Sequence, residues 1–311
     1  MNGFNLDNIL ADLIIGKHLA ESILSELFSK LREVLVEEEN VLEVPSPVIV
    51  VGDVHGQLFD VIKMFEVAES LDEYKVSGQT NFLFLGDYVD RGHFSFETFA
   101  YLAARKLKNR SQIYLLRGNH ESRSINQTYG LFYESLSIYG NTSIWNLINE
   151  TFDALPIAAV VNNSLFCVHG GISPEVSYVE KLNIVDRYTD IPSSGIIADL
   201  TWSDPSETQD WIKNKRGSGY CFGRTHVQKF LQQNNFKFMV RSHQLMKEGF
   251  MEHFDGKCVT VWSAPNYAYT ETNKATFMAV DKDTNRVFVE FPSNKEIPYP
   301  EDDKAPCPYF A

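Results

Sequence analysis

The chain has 311 residues and a mass of 35.5 kDa, enough to bury roughly three quarters of its unfolded surface, which excludes a peptide hormone or a disulfide-stapled mini-scaffold. Its 28 basic and 41 acidic residues leave a formal charge of −13, with no Lys/Arg run above background, which argues against nonspecific nucleic-acid binding through the surface. Four scattered cysteines without a C-x-x-C pair argue against a thiolate zinc site and a disulfide framework and fit a reducing compartment. The apolar runs are too short to cross a bilayer, and the first residues show no secretory pattern.

From about Asn8 to Val36, Leu19, Ile23, Leu27, Leu31 and Leu35 recur four apart, which predicts one amphipathic helix or a pair. The following Glu37-Glu38-Glu39 is expected to be solvated, and Pro45 and Pro47 end any helix. The chain then repeats one theme, a short β-rich apolar run that stops abruptly in polar residues and glycine. The runs are Val48–Val51, Phe82–Leu85, Ile113–Leu116, Leu165–Val168 and Phe236–Val240. Each reads as a buried strand delivering polar side chains at its carboxyl end. Helical patterns at Leu58–Glu69 and Phe96–Lys106 separate the first three at βαβ spacing. After His243, Val259–Trp262, Ala275–Val280 and Arg286–Phe291 read as an antiparallel meander, with a turn at Asp283-Thr284-Asn285. Pro292–Ala311 holds five of the twelve prolines and an acidic run, and reads as a mobile tail. The expectation is one α/β catalytic domain over residues 46–291, with a helical segment 1–45 packed on it and a tail 292–311.

The five strand ends deliver Asp53 with His55, then Asp87, Asn119 with His120, His169 and His243. Carboxylate, imidazole and amide donors without thiolate suit divalent manganese, iron or zinc. Ligands of α/β sheets bind at the carboxyl ends of the strands, so residues distant in sequence can meet there. Taken singly, Asp53-x-His55 reads as a turn, Asp87 as a loop start, and His169 or His243 as a hydrogen-bonded core histidine. Recurrence decides otherwise, because four of the eight histidines fall at the same end of these strands. Arg91 and Arg216 offer planar forks that match phosphate oxygens, although either alone would read as a surface ion pair. Asp90 could orient a histidine or cap the helix after it.

Gly52-Asp53-Val54-His55-Gly56, Gly86-Asp87-Tyr88-Val89-Asp90-Arg91-Gly92 and Leu116-Arg117-Gly118-Asn119-His120-Glu121 together resemble the three signature motifs of the metal-dependent phosphoprotein phosphatases. His169-Gly170-Gly171, Trp202-Ser203-Asp204-Pro205, Arg241-Ser242-His243-Gln244 and Ser263-Ala264-Pro265-Asn266-Tyr267 extend the resemblance over about Leu19 to Phe291. Tyr139-Gly140-Asn141 and the ending Pro308-Tyr309-Phe310-Ala311 are similar to the type 2A group with its type 4 and type 6 relatives. The resemblance implies a metallophosphoesterase-like β-sandwich with flanking helices and a two-metal site at the strand ends. It implies one metal on Asp53, His55 and Asp87, and a second on Asp87, Asn119, His169 and His243. It further implies hydroxide attack on phosphoserine or phosphothreonine, with His120, oriented by Asp90, as general acid. Arg91, Arg216, Asn119 and Tyr267 would bind the phosphate.

The chain departs from the resemblance at Ala268, where the family usually has Cys, along Tyr269–Asn273, in a longer Ala68–Gln79 stretch, and at Ala311 in place of Leu. Implied partners are phosphoprotein substrates and scaffold or regulatory subunits, in the cytoplasm or nucleus. Neither nucleic acid, membrane nor a second copy of the chain is expected as a partner. The competing readings are a metallophosphoesterase acting on nucleotides and a partner-binding chain that has lost catalysis.

Overall fold

A computed structural model describes residues 4–294. Two sheets stack face to face among them. The first runs Arg286–Phe291, Ala275–Val280, Val48–Val51, Phe82–Phe84, Ile113–Leu115, and its last three strands are parallel. Helices Leu58–Glu69 and Ser95–Lys108 make the crossovers between those three. The second sheet runs Val41–Val44, Ala158–Val161, Leu165–Cys167, Phe238–Arg241, Cys258–Val261, Phe250–His253.

Strand alternation explains why these runs are apolar throughout. Val48, Val50, Leu83 and Leu85 face the second sheet and pack with Cys167, Val240, Val259 and Val261. The intervening Ile49, Val51, Phe82 and Phe84 turn the other way, into a helical layer that includes Phe65 and Phe99. On the far side of the second sheet, Phe166 and Met239 pack with Val227, Phe230 and Leu231 of helix Arg224–Gln233. Both faces of each central strand are therefore dry, and only the strand ends can present polar groups.

The periodic N-terminal segment forms two helices, Leu6–Ile14 and Glu21–Val36. Leu24, Leu27, Phe28, Leu31 and Leu35 share one apolar cluster with Phe99 and Phe152, and the Phe28 and Phe99 rings lie 5.6 Å apart. Strand Val41–Val44, just before the boundary expected at residue 45, pairs in parallel with Ala158–Val161. No helix among the described residues is long and apolar enough to cross a membrane.

Three expectations need correction. Cys258–Val261 is no part of a terminal meander; it pairs in parallel with Phe238–Arg241 in the second sheet, and only Ala275–Val280 and Arg286–Phe291 form the antiparallel hairpin. The chain crosses between sheets in the intervening loop. Glu38 is not simply solvated, because its carboxylate neutralises the fully buried Lys106 ammonium at 2.5 Å. Val41–Val44, Ala158–Val161 and Phe250–His253 are additional strands. The last is an edge strand with two exposed central residues, so it lacks a clear apolar pattern. Of the expected tail, residues 295–311 lie outside the described residues.

Candidate active site

The carboxyl ends of the parallel strands from both sheets meet at one seam, where Asp53 and Trp262 form a parallel bridge. Two serines stitch it. The Gly52 and Asp53 amides donate to Ser263 Oγ at 2.8 Å and Ser242 Oγ at 2.9 Å, while the Ser242 hydroxyl donates to the Val261 carbonyl. A Cβ on Gly52 would lie 2.2 Å from the Val261 carbonyl oxygen, so only glycine allows this approach.

At the seam Asp53, His55, Asp87, Asn119, His120, His169 and His243 converge, none more than 7% exposed. His169 Nε2 lies 2.9 Å from Asn119 Oδ1, 3.2 Å from His243 Nδ1 and 3.4 Å from Asp87 Oδ2. His55 Nε2 lies 3.6 Å from both Asp53 Oδ2 and Asp87 Oδ2. The hydrogen-bond network assigns the tautomers. The Nδ1 atoms of His55 and His169 face the carbonyls of Val89 and Leu85, which only accept, so those nitrogens carry the protons. Each Nε2 then faces carboxylate, amide and imidazole atoms across the cluster. Buried Asp53 Oδ2 has no hydrogen-bond partner at all. Imidazole, amide and carboxylate donor atoms converging around two buried carboxylates fit divalent cations, which would take the place of the ring protons on the Nε2 side. Two groups of donor atoms within 4.8 Å of one another share Asp87: His55 with His120, and His169 with His243.

The charges follow from this crowding. Burial disfavours an imidazolium at His55, yet Asp53 and Asp87 outweigh it and raise the pKa to about 9. Burial also opposes ionisation of Asp87, but His169, His120 and His55 hold its carboxyl well below the usual range. His243 goes the other way: burial first, then the charges of His169, Arg241 and Arg216, keep it neutral. His55, Asp87, Asp90, Arg91 and His243 all adopt left-handed backbone with φ between 41° and 70°. Strained conformations at non-glycine residues persist only where surroundings over-determine them, and they cluster at functional sites.

His120 sits at the rim of the cluster. Its Nδ1 is 2.6 Å from Asp90 Oδ2, its amide donates to Asp87 Oδ1, and its ring meets the His55 ring edge-on at 4.7 Å. Asp90, fully buried, is fixed in turn by the Leu131 amide on Oδ1, so it orients the imidazole rather than capping the next helix. The Arg91 guanidinium stacks on Tyr129 at 4.2 Å, and the Tyr267 ring lies 5.1 Å from the His55 ring. Arg216 is 42% exposed, and Asp204 grips its Nε at 2.9 Å, leaving the two terminal nitrogens of its fork unengaged by that carboxylate.

No sequence pattern assigns a role to Glu121, although it lies inside one of the signature motifs. Its carboxylate accepts the amides of Asp87, Tyr88 and Gly118 and so shapes the loop that aims Asp87. Burial and the neighbouring Asp87 raise its pKa to about 8. Ser242, Ser263, Gln57 and Asp60 are equally silent in the sequence. Their partners are close in space and up to 234 residues away along the chain, which no local pattern displays.

The fold and site define a metallophosphoesterase, and the model of the calcineurin-like phosphoesterases matches residues 46–247, so the chain belongs to that family. Within it, the chain is 43% identical to the serine/threonine-protein phosphatase 4 catalytic subunit of Saccharomyces cerevisiae, across 92% of this chain and 91% of the relative. It is 42% identical to a protein phosphatase 2A catalytic subunit of Dictyostelium discoideum, across 92% and 90%. The expected kinship with the type 2A group and its type 4 relatives is thus borne out. A solved serine/threonine phosphatase from Saccharomyces cerevisiae, described as similar to human phosphatase PP5, superposes with a TM-score of 0.85 at 28% identity, covering 94% of this chain and 98% of that one. A cold-active protein-tyrosine phosphatase of Shewanella, at TM-score 0.60 and 16% identity, covering 82% and 84%, shares the fold.

Proposed function

We propose that this chain is a serine/threonine protein phosphatase that hydrolyses phosphoserine and phosphothreonine in proteins. The observation that carries the reading is the His120–Asp90 pair set against two donor groups that share Asp87. Asp53, His55 and Asp87 would hold one cation, and Asp87, Asn119, His169 and His243 the other. Two divalent cations bound there supply charge to polarise the phosphoryl oxygens and lower the pKa of water toward neutrality. The donor set favours manganese, iron or zinc.

The remaining work falls to side chains. Arg91, braced by Tyr129, and Arg216, braced by Asp204, present guanidinium groups to the phosphate oxygens and offset the charge that spreads over them in the transition state. Asn119 and Tyr267 line the phosphate position. His120, held at Nδ1 by Asp90, carries a proton on Nε2 toward the departing serine or threonine oxygen, whose alkoxide is a poor leaving group without it. Regulatory subunits belong to the same proposal, supported by the likeness to catalytic subunits; a cytoplasmic or nuclear setting is proposed only from the scattered cysteines, none in a C-x-x-C pair.

The test compares turnover of a phosphoserine peptide, a phosphotyrosine peptide, a cyclic nucleotide and a dinucleotide polyphosphate by the manganese-loaded chain. The phosphoserine peptide is expected to have the highest kcat/KM; preference for either nucleotide would assign the site to another substrate class.

A further inference from the structure

Tyr267 lies on a loop that Asn273 ties at its base, accepting the Tyr267 amide at Oδ1 and the Asn266 amide at its carbonyl. Asn266, Ala268 and Tyr269 all have left-handed φ, 45°, 52° and 60°, and none is glycine. Such a run needs external restraint. Besides Asn273, whose Nδ2 also donates to the Ala264 carbonyl, the structure provides it from two sides.

From beneath, the Gln57 side chain reaches the loop with both ends of its amide. Its Nε2 donates to the Pro265 carbonyl at 2.8 Å, and its Oε1 accepts from the Ala268 amide at 3.3 Å. Gln57 is in turn fixed by Asp60, whose Oδ2 accepts the second Nε2 proton at 2.8 Å. From outside, the residues after the last strand close over the same place. The Asn294 amide donates to Asp60 Oδ1 at 2.7 Å, and Asn266 Nδ2 donates to Ser293 Oγ at 3.1 Å. Gln57 and Asp60 are 1% and 2% exposed, so water has little access to the bonds between them and to the Pro265 carbonyl, whereas the Asn266–Ser293 bond is exposed.

We infer that Asp60 is a positioning residue: through Gln57 it locks the Tyr267 loop, and through the Asn294 amide it couples that loop to the start of the carboxy-terminal segment. The inference rests on the phosphatase reading only for its kinetic arm. The chemistry demands an acceptor-only side chain at position 60, because both groups facing it, the Gln57 amide nitrogen and the Asn294 N–H, are donors. An asparagine there would turn a donor toward one of them. If it faces Gln57, that amide must flip, and the Pro265 carbonyl loses its donor while the Ala268 amide meets one. If it faces Asn294, the link to the carboxy-terminal segment breaks. Burial without a second carboxylate nearby accounts for the raised Asp60 pKa, about 6, which the bonds from Gln57 and Asn294 oppose.

The experiment uses the full-length metal-loaded chain with Asp60→Asn, and Asn294→Pro as a second variant that removes the backbone donor to Asp60 from the other side, along with the Asn294 side chain. Hydrogen exchange followed by mass spectrometry should show faster exchange in the peptide spanning residues 264–272 for both, with exchange in the central strands unchanged. This arm needs no turnover. In the kinetic arm, Asp60→Asn should raise KM for a phosphoserine peptide about 10-fold with kcat within about 3-fold, the signature of lost substrate positioning. In a Tyr267→Phe background the same change should add less than about 2-fold, since residues acting through one another are non-additive. Unchanged exchange in 264–272, or effects that multiply fully across the two backgrounds, would overturn the inference. Inactivity of the wild-type chain on the peptide would count against the phosphatase reading alone, with the exchange data still deciding the relay.

Discussion

Asp87 accepts the His120 amide through one oxygen and faces His55 and His169 with the other, while His120 turns its Nδ1 away to Asp90. One residue is thus placed to hold charge at the centre and the other to hold a proton at the rim, although a His120 ring nitrogen is close enough to the donor cluster for ligation to be a geometric alternative. His120→Asn separates the two roles. It should lower kcat by about 10²–10⁴-fold, the usual worth of a general acid, while elemental analysis still finds both cations. Metal loss in step with activity would make His120 a ligand. The ligand residues themselves are legible in the sequence because every one follows an apolar run by only a few residues. Glu121 and Asp60 are not, since their work is to accept backbone amides and, for Asp60, also the Gln57 side-chain amide, and nothing in their neighbours' identities marks those donors as needing an acceptor.

At the scale of elements, the site exists because two sheets end at the same seam, and Ser242 and Ser263 join them there. Ser242 accepts the Asp53 amide and donates to the Val261 carbonyl, linking three strand ends in one hydroxyl. Ser242→Ala leaves a buried donor and a buried acceptor unpaired, which should destabilise the fold by about 1–3 kcal/mol in chemical denaturation. Because Asp53 loses its backbone anchor, metal affinity should fall as well; full stability and full affinity together would show that the bridge alone holds the seam. The βαβ strands are readable from the sequence because both of their faces are dry and their residues are therefore apolar without alternation. Phe250–His253 is not, because an edge strand with Met251 and Glu252 exposed carries no such pattern. The placement of Cys258–Val261 escapes the sequence for a different reason: proximity along the chain to the terminal hairpin says nothing of which sheet a strand joins.

Across the whole molecule, one core runs from the N-terminal helices to the first sheet, a second fills the sandwich, and a third backs the second sheet. Dry layers on both sides leave the strand ends as the place where seven polar side chains can gather, and they gather with their potential donor atoms inward. Such a cluster is costly without cations and should gain from them, because ligands that bind the native state alone stabilise it by mass action. The formal charge of −13 also favours approach of cationic sequences around a phosphorylated residue, an attraction that salt would weaken. The measurement that reaches the centre of the account is metal content by elemental analysis, with thermal unfolding, on the manganese-loaded wild-type chain and on Asp87→Asn. Two ions per chain, a melting temperature that drops on chelation, and loss of both ions in the variant are expected, since one carboxylate serves both groups. Metal content near zero in the loaded wild-type chain, or undiminished content in Asp87→Asn, would contradict a shared two-cation site.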